Sequence, residues 1–200
     1  MPTGNAVNNN TGYVSRAEGK LAGAVRAFSF DFREKTVLDI GSSTGGFTEL
    51  ALNLGAKKVI AIEKGTNQMK VPLRFNPKIE LHEKTDIFEV ATRGEGLMIE
   101  KPDVVLADVS FISLKKVLTH VQKRIAGKYT EYLVMLKPQF EARPEQLNKG
   151  VLKNEKMRRE IIKEFEIWLR NHHFVILNKR DNDVIGKNGN QERFYLLKNC

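Results

Sequence analysis

Two polar residues close apolar runs at places where a reacting group would be wanted. Asp108 ends DVVLAD (103–108), and Lys137 follows EYLVML (131–136), where Pro138 bars it from the helical region and holds it extended. If both runs are strands of one sheet, the two side chains project at its ligand-binding edge. There they can form a simple ion pair or handle a proton at a bound substrate. Lys20, near the start of a capped helix, and Glu192, just before the last apolar run, read on spacing alone as solvated charges.

A second constellation is the turn after TVLDI (36–40), GSSTGGFT. Glycines let backbone approach a ligand closely, and a helix N-terminus offers unpaired N–H groups. A phosphate-cradling P-loop needs a lysine where Phe47 stands, and a dinucleotide fingerprint needs glycine where Ser43 stands. A nucleoside held without phosphate contacts, such as S-adenosylmethionine, suits the turn better. Its amino-acid arm would meet Gly41, Ser42, Ser43, Thr44, Gly45, Gly46 and Phe47, with Asp108 nearby. Glu63, closing KVIAIE, would take the ribose hydroxyls or else stand as an exposed strand-end carboxylate, and Lys64 beside it is a further candidate cofactor-binding residue. Asp86 and Ile87, after IELHE (79–83), would meet the adenine, and Asp86 also reads as a helix N-cap.

These residues need a frame. Seven apolar runs, at 36–40, 58–63, 79–83, 103–108, 131–136, 174–179 and 193–198, alternate with helical patterns at 45–54, 67–74, 113–126 and 155–170. Between 36 and 136 the runs are continuously apolar, as for strands covered on both faces. SRAE (15–18) is a capping box, so a helix is expected from Ser15 with Leu21, Ala24, Val25 and Phe28 on its apolar face. The helix over 155–170 carries Met157, Ile161, Phe165 and Trp168 on one stripe, with Lys156, Arg159, Lys163 and Arg170 largely off it. Strand and helix in alternation predict an α/β, doubly wound sheet, and the short polar link RDNDVIGKNGNQE predicts an antiparallel hairpin at the end. Residues 1–12 read as a flexible tail or remnant and 13–200 as one domain.

Composition narrows the class. There are 33 Lys and Arg against 24 Asp and Glu, a formal charge of +9, which favours polyanions as partners. Lys115, Lys116, Arg143, Lys149, Lys153, Lys156, Arg158 and Arg159 follow the fourth and fifth runs and are candidate phosphate contacts. Phe111 and Phe140 can either stack on a base or pack in the core. The single cysteine, Cys200, excludes an internal disulfide framework or thiolate cluster, and no metal site is expected; adjacent His172 and His173 read as a helix C-terminal feature. With no apolar run of spanning length and no secretory signal, a soluble cytoplasmic protein is expected.

SRAEGKL, STGGFTE, ADVSFISL, KPQFEA, NKGV and GNQE, in this order over residues 13–198, make the chain resemble the FtsJ-like 2′-O-ribose RNA methyltransferases, within them the TlyA or haemolysin A group. The resemblance implies a Rossmann-like S-adenosylmethionine-dependent methyltransferase sheet of seven strands with the last antiparallel. It also implies S-adenosylmethionine as cofactor, RNA (ribosomal RNA or ribosomal subunits) as partner, and a catalytic tetrad of Lys20, Asp108, Lys137 and Glu192. The group's SRGG turn is SRAE here, and where its members usually begin with an S4-type domain this chain has a polar dozen residues, as expected of a truncated chain or of one that docks RNA with the catalytic domain alone. Two other readings stay open: an RNA-binding protein that retains the fold without catalysis, and a membrane-active haemolysin.

Overall fold

A computed structural model describes residues 16–152, 154–183 and 189–200, without the side chains of Arg16 and Ala17. In chain order the elements are α1 (Arg16–Phe28), β1 (Thr36–Ile40), α2 (Gly46–Asn53), β2 (Lys58–Ile62), β3 (Ile79–His82), β4 (Val90–Ala91), β5 (Leu97–Met98), β6 (Val104–Ala107), α3 (Leu114–Arg124), β7 (Glu131–Leu136), α4 (Glu155–Asn171), β8 (Phe174–Asp181) and β9 (Arg193–Asn199). All seven expected strands are present, in the order β3-β2-β1-β6-β7-β9-β8. β9 runs antiparallel between β7 and β8, while β3, β2, β1, β6 and β7 are mutually parallel. β4 and β5 form a separate two-stranded piece that periodicity did not signal.

Alternation along the strands divides the core in two. Leu133 and Met135 of β7 face α1 and α2 with Leu21, Phe47 and Leu50. Tyr132, Val134 and Leu136 face α3 and α4 with Val117, Val121, Phe165 and Leu169. Covered on both sides, β1 is buried along its whole length, which is why its sequence is apolar without alternation. Thr36 opens the run, and Asp39 is its one charged side chain.

The helix expected over 67–74 does not form; a single 3-10 turn, Leu73–Phe75, stands in its place. Pro72 has no N–H to give a helix and disfavours the helical region at Val71. Glu83 supplies the alternative. Its carboxylate accepts from the amides of Asn67, Gln68 and Met69 and from Arg74 Nη2, and those amide bonds with the Arg74 ion hold its pKa down to about 2 against the opposing effect of desolvation. In α4 the buried stripe is Arg158, Ile161, Ile162, Phe165 and Leu169, rotated from the expected one, so Trp168 is only half-buried. The tail at 1–12 and the Ser15 cap fall outside the described residues.

Candidate active site

The strand order reverses between β1 and β6, and the carboxyl ends of strands on either side of such a point frame a crevice. The turn leaving β1 has Gly41 at φ 79°, Ser43 at 47° and Gly45 at 95°. At Gly41 a Cβ would stand 3.0 Å from the carbonyl oxygen of Asp108, so glycine is what allows the β1 and β6 tips to close together.

Beside this turn lies a cleft of about 530 Å³, within the range of small-molecule sites. Of the candidate cofactor-binding residues, Gly41, Ser43, Glu63, Lys64, Asp86, Ile87 and Asp108 line it, together with Val109, Ser110, Phe111 and Ile112. Ser42, Thr44, Gly45, Gly46 and Phe47 do not line it. Phe47 is core, 6.3 Å from the Phe194 ring, because the helix begun at Gly46 turns it inward.

Local bonds fix the acids of the cleft. Glu63 Oε2 accepts from Ser43 N at 2.9 Å and Oε1 from Gly65 N at 2.6 Å. Asp86 caps the turn at Ile87–Glu89, accepting from Phe88 N at 3.2 Å. The Lys64 ammonium, 2.8 Å away, holds the Asp86 carboxyl below its ordinary range. Beneath the turn, Asp39 is fully buried; Thr48 Oγ1 donates to its Oδ2 at 2.6 Å, and burial pushes its pKa up to about 7. Asp39 Oδ1 and the buried Ser42 Oγ have no hydrogen-bond partner among the described residues.

This donor set fits an adenosine with a charged amino-acid arm. Buried oxygens without a partner among the described residues lie at the glycine turn, a fixed carboxylate lies at the β2 tip, and Asp86 lines the same cleft as the apolar Ile87, Val109 and Ile112.

The four candidate catalytic residues form two ion pairs. Lys137 Nζ lies 2.5 Å from Asp108 Oδ1 and donates to Ser110 Oγ at 2.8 Å. Lys20 Nζ donates to Glu192 Oε2 at 2.5 Å, and both side chains are at least nine-tenths buried rather than solvated. The β7–β9 register ends with Leu136 opposite Arg193, so the next residues outward are Lys137 and Glu192. Each amine therefore faces its own carboxylate, at neighbouring strand tips.

Sequence reasoning missed the groups that hold these four. Ser110 sits against Lys137, and Asn182 Nδ2 donates to Glu192 Oε2 at 3.3 Å. Glu141, within KPQFEA, accepts from Ser113 Oγ at 2.7 Å and Leu114 N at 2.6 Å, fastening the ADVSFISL loop at the start of α3. Phe111 is no core residue: it is 92% exposed, at φ 64°, with its ring 5.2 Å from that of half-buried Phe140. Of the candidate phosphate contacts, Lys116, Arg143, Lys149, Lys156 and Arg159 are exposed and Lys115 half-buried, whereas Lys153 is outside the described residues. Arg158 is buried and bound to Asp181, which removes it from that set. His172 stacks on Trp168 at 4.2 Å and its Nδ1 bonds the Trp168 carbonyl.

A glycine turn at the switch point, a nucleoside-sized cleft and an antiparallel strand inserted next to the sheet's end define a methyltransferase fold. Residues 13–199 match the model of the FtsJ-like methyltransferase family, and the chain belongs to that family. Its relatives include the 23S rRNA (cytidine-2′-O)-methyltransferase TlyA of Campylobacter jejuni, 37% identical over 92% of this chain and 70% of that protein. Hemolysin A of Brachyspira hyodysenteriae is 34% identical over 92% of this chain and 75% of that protein. The 16S/23S rRNA (cytidine-2′-O)-methyltransferase TlyA of Mycobacterium tuberculosis is 37% identical over 69% of this chain, a match that takes in 50% of that protein. Among solved structures, a candidate hemolysin from Lactococcus lactis superposes with a TM-score of 0.85 at 34% identity, over 93% of this chain and 88% of that one. No helix among the described residues is long and apolar enough to cross a membrane.

Proposed function

We propose that the protein methylates a ribose 2′-hydroxyl of ribosomal RNA, using S-adenosylmethionine. The observation that carries this reading is Asp108, which lines the nucleoside-sized cleft and also pairs with Lys137, so one residue joins the cofactor cavity to an amine at the sheet edge.

When bound, S-adenosylmethionine supplies a methyl group already activated on a positively charged sulfur. Glu63 would hold its ribose hydroxyls, Asp86 would accept from the adenine amine, and Asp39 with Ser42 would lie beneath the amino-acid arm. The protein's remaining task is to place the acceptor hydroxyl and remove its proton. An ammonium has three N–H bonds. Ser110 takes one at Lys137, whose nitrogen also lies 2.5 Å from Asp108 Oδ1, so a direction remains for a substrate oxygen. Along that direction a Lys137 that has first given one proton to solvent would accept the 2′-OH proton, freeing the ribose oxygen to take the methyl group. The Lys20–Glu192 pair sits next along the edge, where it orients the acceptor ribose. Phe111, held out into solvent at the cleft, offers a ring on which the target base stacks, and exposed Arg143, Lys149, Lys156 and Arg159 take phosphates.

Incubation with methyl-labelled S-adenosylmethionine and purified ribosomal RNAs tests the reading. Label recovered in a 2′-O-methyl nucleotide is the expected result. RNA binding without label transfer would instead make the chain a non-catalytic RNA-binding protein.

A further inference from the structure

Glu192 is set in place from a face of the sheet that its own side chain does not touch. Along β9, Phe194 and Leu196 enter the core beneath α1 and α2, while Tyr195 and Leu197 enter the one beneath α4. Glu192 shares the Phe194 side and reaches Lys20 of α1; Arg193 takes the α4 side.

Arg158, in the first turns of α4, is only 6% exposed, and a buried arginine needs partners for its charge and donors. Its guanidinium forks. Nη2 donates to Asp181 Oδ1 at 2.7 Å and Nε to the Gln191 carbonyl at 3.3 Å. The same Asp181 oxygen accepts from Arg193 Nε at 2.7 Å. The residues before and after Glu192 are therefore tied to one arginine–aspartate pair, the first through its backbone and the second through its side chain. Asn190 extends the restraint by accepting from Leu152 N at 2.9 Å and donating to the Gly150 carbonyl at 3.2 Å. This bond joins the NKGV and GNQE segments. Neither Arg158 nor Asp181 lines the nucleoside cleft.

We propose that Arg158, through Asp181 and Gln191, is a positioning residue that fixes segment 191–193 so that the Glu192 carboxylate stays against Lys20. The inference rests on the reading of the protein as an RNA methyltransferase. Its physical basis is the planar fork of arginine, which serves two partners at once; a lysine ammonium in its place reaches one of them without fixing the angle between them.

The test compares Arg158→Met and Arg158→Lys in the intact chain, and Arg158→Met again in a Glu192→Gln background, by steady-state methyl transfer to ribosomal RNA. Arg158→Met should lower kcat by about 10- to 100-fold, with both KM values within about twofold, in protein whose circular dichroism remains native. Arg158→Lys should recover part of the loss. In the Glu192→Gln background the further loss should be no more than about twofold, because the group being positioned has lost its charge. An equal loss in both backgrounds would make Arg158 a fold residue acting independently of Glu192. A rise in the RNA KM with a shallower salt dependence would make it a phosphate contact. Either result overturns the proposal. If Arg158→Met does not fold, Arg158→Lys carries the same comparison. If the wild type transfers no methyl group, the RNA methyltransferase reading fails first, and crystal structures still decide the positioning claim: a Lys20–Glu192 contact kept in the variant overturns it, and a broken one supports it.

Discussion

Asp39→Asn should make the fold more stable at pH 8 than the wild type, by an amount that shrinks as the solution is acidified. Asp39 is fully buried, with one oxygen bonded to Thr48 and the other unpartnered among the described residues. Burial raises its pKa from the ordinary 3.8 to about 7. The folded chain therefore keeps a proton that the unfolded chain has already lost, and stability falls as pH rises between those two values and then levels off. The difference corresponds to about 4 kcal/mol at pH 8 relative to strongly acid solution, of which about 3 kcal/mol develops between pH 5 and pH 8. Asparagine removes that dependence and keeps an oxygen for Thr48, at a pH-independent cost of about 1 to 3 kcal/mol for its own buried amide. Urea unfolding followed through the single tryptophan, Trp168, at pH 5, 6, 7 and 8 measures both chains. All other titrating groups are common to the two, so the stability difference between them should grow by about 3 kcal/mol across the series. A difference that stays constant over this range would show that Asp39 is ionised in the fold throughout, and the reasoning from burial would be wrong.

Lys137→Ala should reduce label transfer to background while S-adenosylmethionine affinity, measured by calorimetry, changes less than about threefold, since Lys137 does not line the cleft. Phe111→Ala should lower kcat/KM for RNA by about tenfold, the worth of one stacked base, while Phe111→Gly should do the same and raise the melting temperature by relieving the φ of 64°. Glu83→Gln should speed hydrogen exchange at the amides of Asn67, Gln68 and Met69 without unfolding the sheet. In the wild type those amides should lose protection as pH falls through about 2, because a carboxylate with a depressed pKa stabilises above its ordinary value and stops doing so once protonated.

The sheet was legible because each of its strands is a short apolar run, and a strand's end says which residue reaches the edge. Asp108 and Lys137 could be placed that way, as could Glu63 and the glycine turn. The failures have a common cause in long-range contact. Nothing local marks Glu83 as the acceptor for three amides some fifteen residues upstream, so the pattern over 67–74 reads as a helix despite Pro72. Asn182 meets Glu192, and Glu141 meets Ser113, only after strands have been registered. Arg158 is different, because its position was readable. It lies four, seven and eleven residues before Ile162, Phe165 and Leu169, on the stripe a 3.6-residue period buries, and the basic run around it concealed this. Family resemblance, not spacing, is what groups Lys20 and Glu192 with Asp108 and Lys137 as candidates, because by local pattern those two are ordinary surface charges.

The place of β9 has a consequence for biosynthesis. The segment translated after the other strands slots between β7 and β8 rather than beside them, and its first residues, not its last, arrive at the edge that carries Lys137. A nascent chain that has emerged as far as β8 owns a finished glycine turn and the Asp108–Lys137 pair, yet has two unzipped strand borders and no acid for Lys20. The Lys20–Glu192 pair and both of those strand borders thus form only after residues 190–199 have emerged.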